Sequence, residues 1–129
     1  DEGAIAAAKY FMGLYEYVYL TGDLEKWEAM AEANCGFCTN VSNKVREMHK
    51  RGEHRTSGPP KWLGMPRVNR IPNTHLWEIH LRAEVSGSKT YNKKGKQIAE
   101  YPPGESRVRL SVRWDGVKWR IYAVTFDGD

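Results

Sequence analysis

The residues best placed by type and spacing to do chemistry are the two cysteines, in the run Cys35-Gly36-Phe37-Cys38. Such a pair has three uses. At a helix N-terminus following a strand, the helix dipole lowers the first thiol's pKa and makes a redox centre. Here the pair precedes a helical pattern but also follows one, and no strand–helix–strand unit surrounds it. As half of a zinc site it would need two more ligands. The four histidines, at 49, 54, 75 and 80, offer no helpful spacing, since five residues separate His49 from His54 and His75 from His80. The third use is a short disulfide that fixes a turn between two helices. Composition favours this one, and with it an oxidising compartment. No metal and no cofactor is expected.

Other catalytic patterns are missing. There is no Gly-x-Ser-x-Gly elbow, and no serine has an evident base beside it. No glycine-rich phosphate loop occurs. The net charge is +4, unevenly spread: residues 1–34 carry −5, residues 35–70 carry +6, and residues 71–129 carry +3. A basic surface of this kind can meet anionic lipid or an acidic polymer. It lacks the dense basic run with interleaved aromatics that would argue for specific nucleic-acid binding.

The length of 129 residues fits one domain, 1–129, and five Trp with seven Tyr supply a real core. Ala4, Ala8, Phe11, Tyr15 and Val18 recur at helical spacing and predict a first helix over residues 3–20, ended by Gly22. Asp23 is expected as the N-cap of a second helix whose buried stripe is Leu24, Trp27, Met30 and Ala31. Val41, Val45 and Met48 predict a third helix, closed by Gly52. Residues 53–74, cut by Gly58-Pro59-Pro60, Pro66 and Pro72, predict loops and edge pieces with one extended segment near 62–68.

From Trp77 the period changes to two. Trp77, Ile79, Leu81, Ala83 and Val85 alternate with Glu78, His80, Arg82 and Glu84, which predicts a half-buried strand. Lys93-Lys94-Gly95-Lys96 reads as the tip of an exposed hairpin between Tyr91 and Ile98. Asp115-Gly116 predicts a two-residue turn. That turn would set Trp114 opposite Val117, Val112 opposite Trp119, Leu110 opposite Ile121 and Val108 opposite Ala123, all facing the core. Tyr122, Val124 and Phe126 would then form an apolar patch on the reverse face, suited to a homodimer contact or to cover by another segment of the chain.

Three helices followed by a curved antiparallel sheet resemble the cone-shaped fold of nuclear transport factor 2 and ketosteroid isomerase. The first-helix run Ala6-Ala7-Ala8-Lys9-Tyr10-Phe11 leads into Tyr15, Tyr17 and Thr21-Gly22-Asp23, and Cys35-x-x-Cys38 precedes the third helix. These features resemble a family of actinobacterial lipoproteins classed as a domain of unknown function. The resemblance covers nearly the whole chain. It implies an α+β domain with three N-terminal helices on a curved antiparallel sheet. It also implies export and a lipid-modified cysteine upstream of Asp1 that anchors the domain to the outer face of the cell membrane. The sequence itself shows neither an apolar run long enough to span a bilayer nor the stages of a signal peptide, and it reads as a trimmed chain.

In such a cone the mouth can hold a ligand. Tyr15, Tyr19, Trp62, Trp77, Trp114 and Trp119 are the candidate pocket residues. The partners expected are a small apolar ligand, an envelope protein, or an anionic membrane or wall polymer met by Lys93, Lys94, Lys96, Arg109 and Arg113. Isomerases and cyclases of this fold place a pKa-tuned acid or His-Asp pair inside the cone. No inward sheet position predicted here is titratable, and His80 and Glu78 fall on the opposite side. Catalysis, with Tyr15, Tyr19 and His80 as participants, is therefore the lesser expectation beside non-catalytic binding.

Overall fold

The computed structural model describes residues 1–127. Helix α1 spans Glu2–Thr21 and buries Ala4, Ala8, Phe11, Leu14 and Val18 along one stripe. Gly22 ends it in the left-handed conformation (φ 76°), its N–H bonding the Val18 carbonyl. Helix α2 is short, Glu25–Met30. Its cap position is Leu24 rather than Asp23, although the Asp23 Oδ1 still accepts from the Glu25 N–H at 3.1 Å. Helix α3 spans Gly36–Lys50 and buries Val41, Val45 and Met48. Cys35 is its N-cap, and the Cys35 and Cys38 sulfurs stand at disulfide distance, buried in the core.

Seven strands follow: β1 (His54–Ser57), β2 (Lys61–Arg70), β3 (Leu76–Val85), β4 (Ser88–Tyr91), β5 (Gln97–Tyr101), β6 (Gly104–Trp114) and β7 (Trp119–Asp127). All strand pairs within the sheets are antiparallel, in a three-stranded sheet β1-β4-β5 and a four-stranded sheet β2-β3-β6-β7. The expected helices-on-sheet α+β architecture is present. Residues 53–74 are more ordered than their prolines predict: β2 runs ten residues as an edge strand. Pro66 is accommodated where the β2–β3 register shifts between Leu63 and Arg67, so its missing N–H interrupts no ladder.

The two sheets are joined at three corners, and each corner is written in the sequence. Gly58-Pro59-Pro60 separates β1 from β2, Ser86-Gly87 separates β3 from β4, and Pro102-Pro103 separates β5 from β6. Proline and glycine here stop ladder pairing and let the chain turn from one sheet into the other. The Gly58 N–H bonds the Ser86 Oγ at 3.1 Å, which ties two of the corners together.

Strand β3 faces as predicted. Ile79, Leu81 and Ala83 are buried, and they pair with Leu110, Val108 and Ser106 of β6. The last hairpin differs. Trp114 pairs with Trp119 and Val112 with Ile121, so the loop has four residues, 115–118, instead of two. The cause is Asp115, whose Oδ1 accepts from the Val117 and Lys118 N–H groups at 2.9 and 2.8 Å, a turn that absorbs two more residues. A bulge between Ser111 and Val112 then shifts the register once more and sets Leu110 opposite Val124 and Val108 opposite Phe126.

That bulge changes which side chains face the core. Beyond it Val124 and Phe126 turn inward and pack against the buried cluster, while Val117 is exposed in the loop. Of the apolar patch expected on the reverse face, only Tyr122 remains outward, and the sequence-based case for a homodimer contact there loses two of its three residues. One extra residue in a strand reverses the facing of all that follow it.

Candidate functional site

Along α1, residues 12, 15, 16 and 19 share one face, since helical neighbours lie three and four apart. Met12, Tyr15 and Glu16 from this face meet Arg55 and Ser57 of β1, Trp62 of β2, Val85 of β3, Val108 of β6 and Phe126 of β7 around a cavity of about 370 Å³. The corner residues Gly58, Pro60, Ser86, Gly87 and Pro102 form its rim, so the cavity lies along the fold line between the two sheets. Its volume is near the small end of the roughly 300–1,000 Å³ typical of ligand pockets.

Glu16, Arg55 and Ser57 are among its polar lining residues. The Ser57 hydroxyl donates to the Glu16 carboxyl. Burial pushes the Glu16 pKa up from the ordinary 4.5, with the positive charge of Arg55 pulling the other way. Arg55 is 9% exposed, and its guanidinium carbon lies 3.7 Å from the Tyr19 ring centroid and 5.2 Å from that of Tyr15. Tyr19 is itself buried, and its phenol is pushed up by desolvation, then by the neighbouring Tyr15. Cation–π contact of this kind takes up the face of a guanidinium and leaves its N–H edge free.

The expected pocket residues divide. Tyr15 and Trp62 line the cavity, and Tyr19 lies beneath Arg55. Trp77, Trp114 and Trp119 do not line it: they pack edge to face, Trp119 at 5.1 Å from each of the other two, at the opposite end of the sheet. There Trp77 Nε1 donates to Asp1 Oδ1 at 2.9 Å, and Gly3 lies directly against the Trp119 ring. The start of α1 closes that end of the cone, and the middle of α1 leaves the other end open. His80 is on the outer face, bonded to Glu78 at 2.7 Å, and is no part of the cavity.

Glu16 lies on α1, outside the sheet positions at which the sequence shows inward-facing side chains. Glu16 did carry a signal, as the one carboxylate on the α1 face that holds Met12, Tyr15 and Tyr19. Arg55 sits in a four-residue strand too short for a facing to be read. The basic residues also divide. Lys93, Lys94 and Lys96 are exposed at the β4–β5 turn. Arg109 and Arg113 belong to the other sheet, and Arg113 is held by the Glu32 carboxylate. Among the described residues no cluster of His, Cys, Asp or Glu could hold a metal ion.

Residues 1–125 match the family described as a family of unknown function, DUF6318. The chain belongs to the DUF6318 family. No curated protein matches it in sequence. Among solved structures, the intermembrane space region of the chloroplast protein ARC6 is similar at a TM-score of 0.69 and 10% identity, over 96% of this chain and 95% of that one. An uncharacterized protein with a cystatin-like fold from Caulobacter vibrioides is similar at 0.54 and 11%, over 99% and 92%. Aln2 from a Streptomyces species is similar at 0.56 and 13%, over 95% and 88%. At these identities the likeness shows the fold alone, and the DUF6318 chain shares the cystatin-like, nuclear-transport-factor-2-like class.

Proposed function

We propose that this chain is a non-catalytic binding domain whose cone mouth holds a small, mainly apolar ligand, and that it works outside the cytosol on a lipid-anchored bacterial protein. The observation that carries the binding reading is the cavity itself: apolar side chains from one helix and four strands, with Glu16, Arg55 and Ser57 among its polar lining. The compartment reading is supported by the paired cysteines, which persist in oxidising surroundings. The lysine tip of the β4–β5 turn is the part of the surface suited to anionic lipid or wall polymer, with salt expected to weaken the contact.

A gentle native mass spectrum of the purified protein tests the binding reading. Extra mass that leaves on denaturation supports it. A clean apo mass, together with no binding of any amphiphile in titration, removes it.

A second reading, an isomerase- or cyclase-type enzyme, draws on Glu16. A carboxyl whose pKa is raised by burial inside a pocket is a candidate proton donor or acceptor. Conversion of a bound, co-purified ligand by the wild type but not by Glu16→Gln would favour that reading over simple binding.

A further inference from the structure

Three buried polar atoms lack a hydrogen-bond partner among the described residues: Glu32 Oε2, Arg120 Nε and Arg55 Nε. The first two belong to side chains already engaged. Glu32 is paired with Arg113, and Arg120 Nη2 donates to the Ala31 carbonyl at 3.1 Å. Arg55 differs. It is nine-tenths buried, lines the cavity, and forms no salt bridge with any described acidic group. A buried guanidinium with no ion pair and an unpartnered Nε is costly, and tyrosine ring faces compensate only part of that cost.

We propose that Arg55 is the anchor for an anionic head, and that the ligand is a small amphipathic carboxylate whose apolar tail fills the rest of the cavity. This rests on the cone mouth being a binding site, and it adds what the site selects. The geometry supports the assignment in three ways. Tyr19 covers a face of the guanidinium at 3.7 Å and Nε is closed off, so the two terminal nitrogens remain for an acceptor lying in the guanidinium plane. A carboxylate fits that fork in two-point fashion and carries the single negative charge that one buried arginine balances. The tail then has Met12, Trp62, Val85, Val108 and Phe126 to lie against.

The neighbouring charges allow it. Glu16 is the acidic side chain lining the cavity; its carboxyl accepts from the Ser57 hydroxyl and makes no ion pair with Arg55. Lys44 also lines the cavity but is exposed on α3, so water already solvates its charge. The driving force for an anion therefore falls on Arg55.

The test is titration of the intact protein with decanoate and with decanol, which share a ten-carbon chain and differ in the head. Binding is read by calorimetry at pH 7. The wild type is expected to bind decanoate about tenfold or more tighter than decanol. Arg55→Gln should reduce that preference to under about twofold by weakening decanoate alone, and Arg55→Lys should restore part of it. Equal wild-type affinities overturn the proposal, as does a preference that survives Arg55→Gln or disappears in Lys44→Gln. Binding of neither compound removes the cone-mouth reading as well, an outcome distinct from equal binding. If Arg55→Gln fails to fold, the wild-type ratio with the Lys44→Gln control still decides.

Discussion

The indole Nε1 of Trp27 donates to the main-chain carbonyl of Cys38 across 3.1 Å inside the core. This bond joins the short α2 to the first turn of α3, beside the cysteine pair. The same ring stacks on Phe11 of α1 at 3.9 Å between centroids, so one fully buried side chain holds the three helices together.

Trp27→Phe keeps most of the apolar contact with Phe11 but takes the donor away from the Cys38 carbonyl. Because Cys38 is buried, that bond is not simply exchanged for one to water. A loss of about 1–3 kcal/mol is expected, from the lost bond and the void left by the smaller ring. Urea denaturation of the two proteins measures it. A loss below a few tenths would mean that the helices are held by apolar packing alone.

The cysteine pair closes a loop of only three residues' separation. On the chain-entropy account so short a loop contributes about 2 kcal/mol. The double variant Cys35→Ala, Cys38→Ala is therefore expected to stay folded, with its unfolding free energy from urea denaturation lowered by that amount. Collapse of the far-ultraviolet dichroism in the variant would show instead that the disulfide holds the fold.

Glu16 gives the stability a defined pH dependence. Burial raises its pKa, with Arg55 opposing, so the folded state favours the neutral carboxyl more than the unfolded chain does. Its contribution is fully present below the ordinary value of 4.5 and is lost as pH rises through the raised folded value. The groups around it are Ser57 and Arg55 from β1, Tyr15 and Tyr19 on α1, Lys44 on α3 and Tyr101 at the end of β5. Glu16→Gln should remove this dependence and leave the protein more stable than wild type at pH 7, by roughly 0.2–1 kcal/mol since water still reaches the carboxyl. Denaturation series at pH 4 and pH 7 for both proteins check the sign. A larger fall with pH in the variant would contradict it.

Charge reversal of Lys93, Lys94 and Lys96 to Glu tests the proposed contact with an anionic surface. Each lysine near such a surface is worth about 1 kcal/mol, so binding to phosphatidylglycerol vesicles at low salt should fall more than about tenfold. All three are exposed and bear no core packing, so the fold should survive. Unchanged sedimentation with vesicles would end the proposal for this tip.

How far the sequence carried depended on the length scale of the signal. The helices were readable because Ala4, Phe11, Val18, Trp27, Val41 and Val45 repeat over several turns and because Gly22 and Gly52 mark the ends. Strand β3 was readable from nine residues of strict alternation. The last hairpin was not, since its facing hung on one side chain: Asp115 lengthens the loop through its own oxygen, and the bulge at Ser111–Val112 leaves no mark in composition. The cavity was half readable for a related reason. Tyr15 and Trp62 declare themselves as large aromatics, whereas Arg55 becomes a site residue only once β1 is laid against α1.

Gly87 marks the corner on which the cavity depends, and its replacement makes the sharpest test of that geometry. The residue has φ 83°, a conformation that costs any side chain, and an added Cβ would lie 2.7 Å from the Tyr101 carbonyl oxygen and 2.9 Å from the Pro103 nitrogen. Both neighbours are backbone, so neither can swing aside as a flexible side chain would. Gly87→Ala should therefore push the β3–β4 corner away from the β5–β6 corner and cost more than about 1 kcal/mol. Since Gly87, Tyr101 and Pro102 all line the cavity, the same change should weaken decanoate and decanol together. That pattern separates it from Arg55→Gln, which should weaken decanoate alone. Stability falling while both affinities hold would mean that the cavity's shape is set by α1 and β1 and not by the corners.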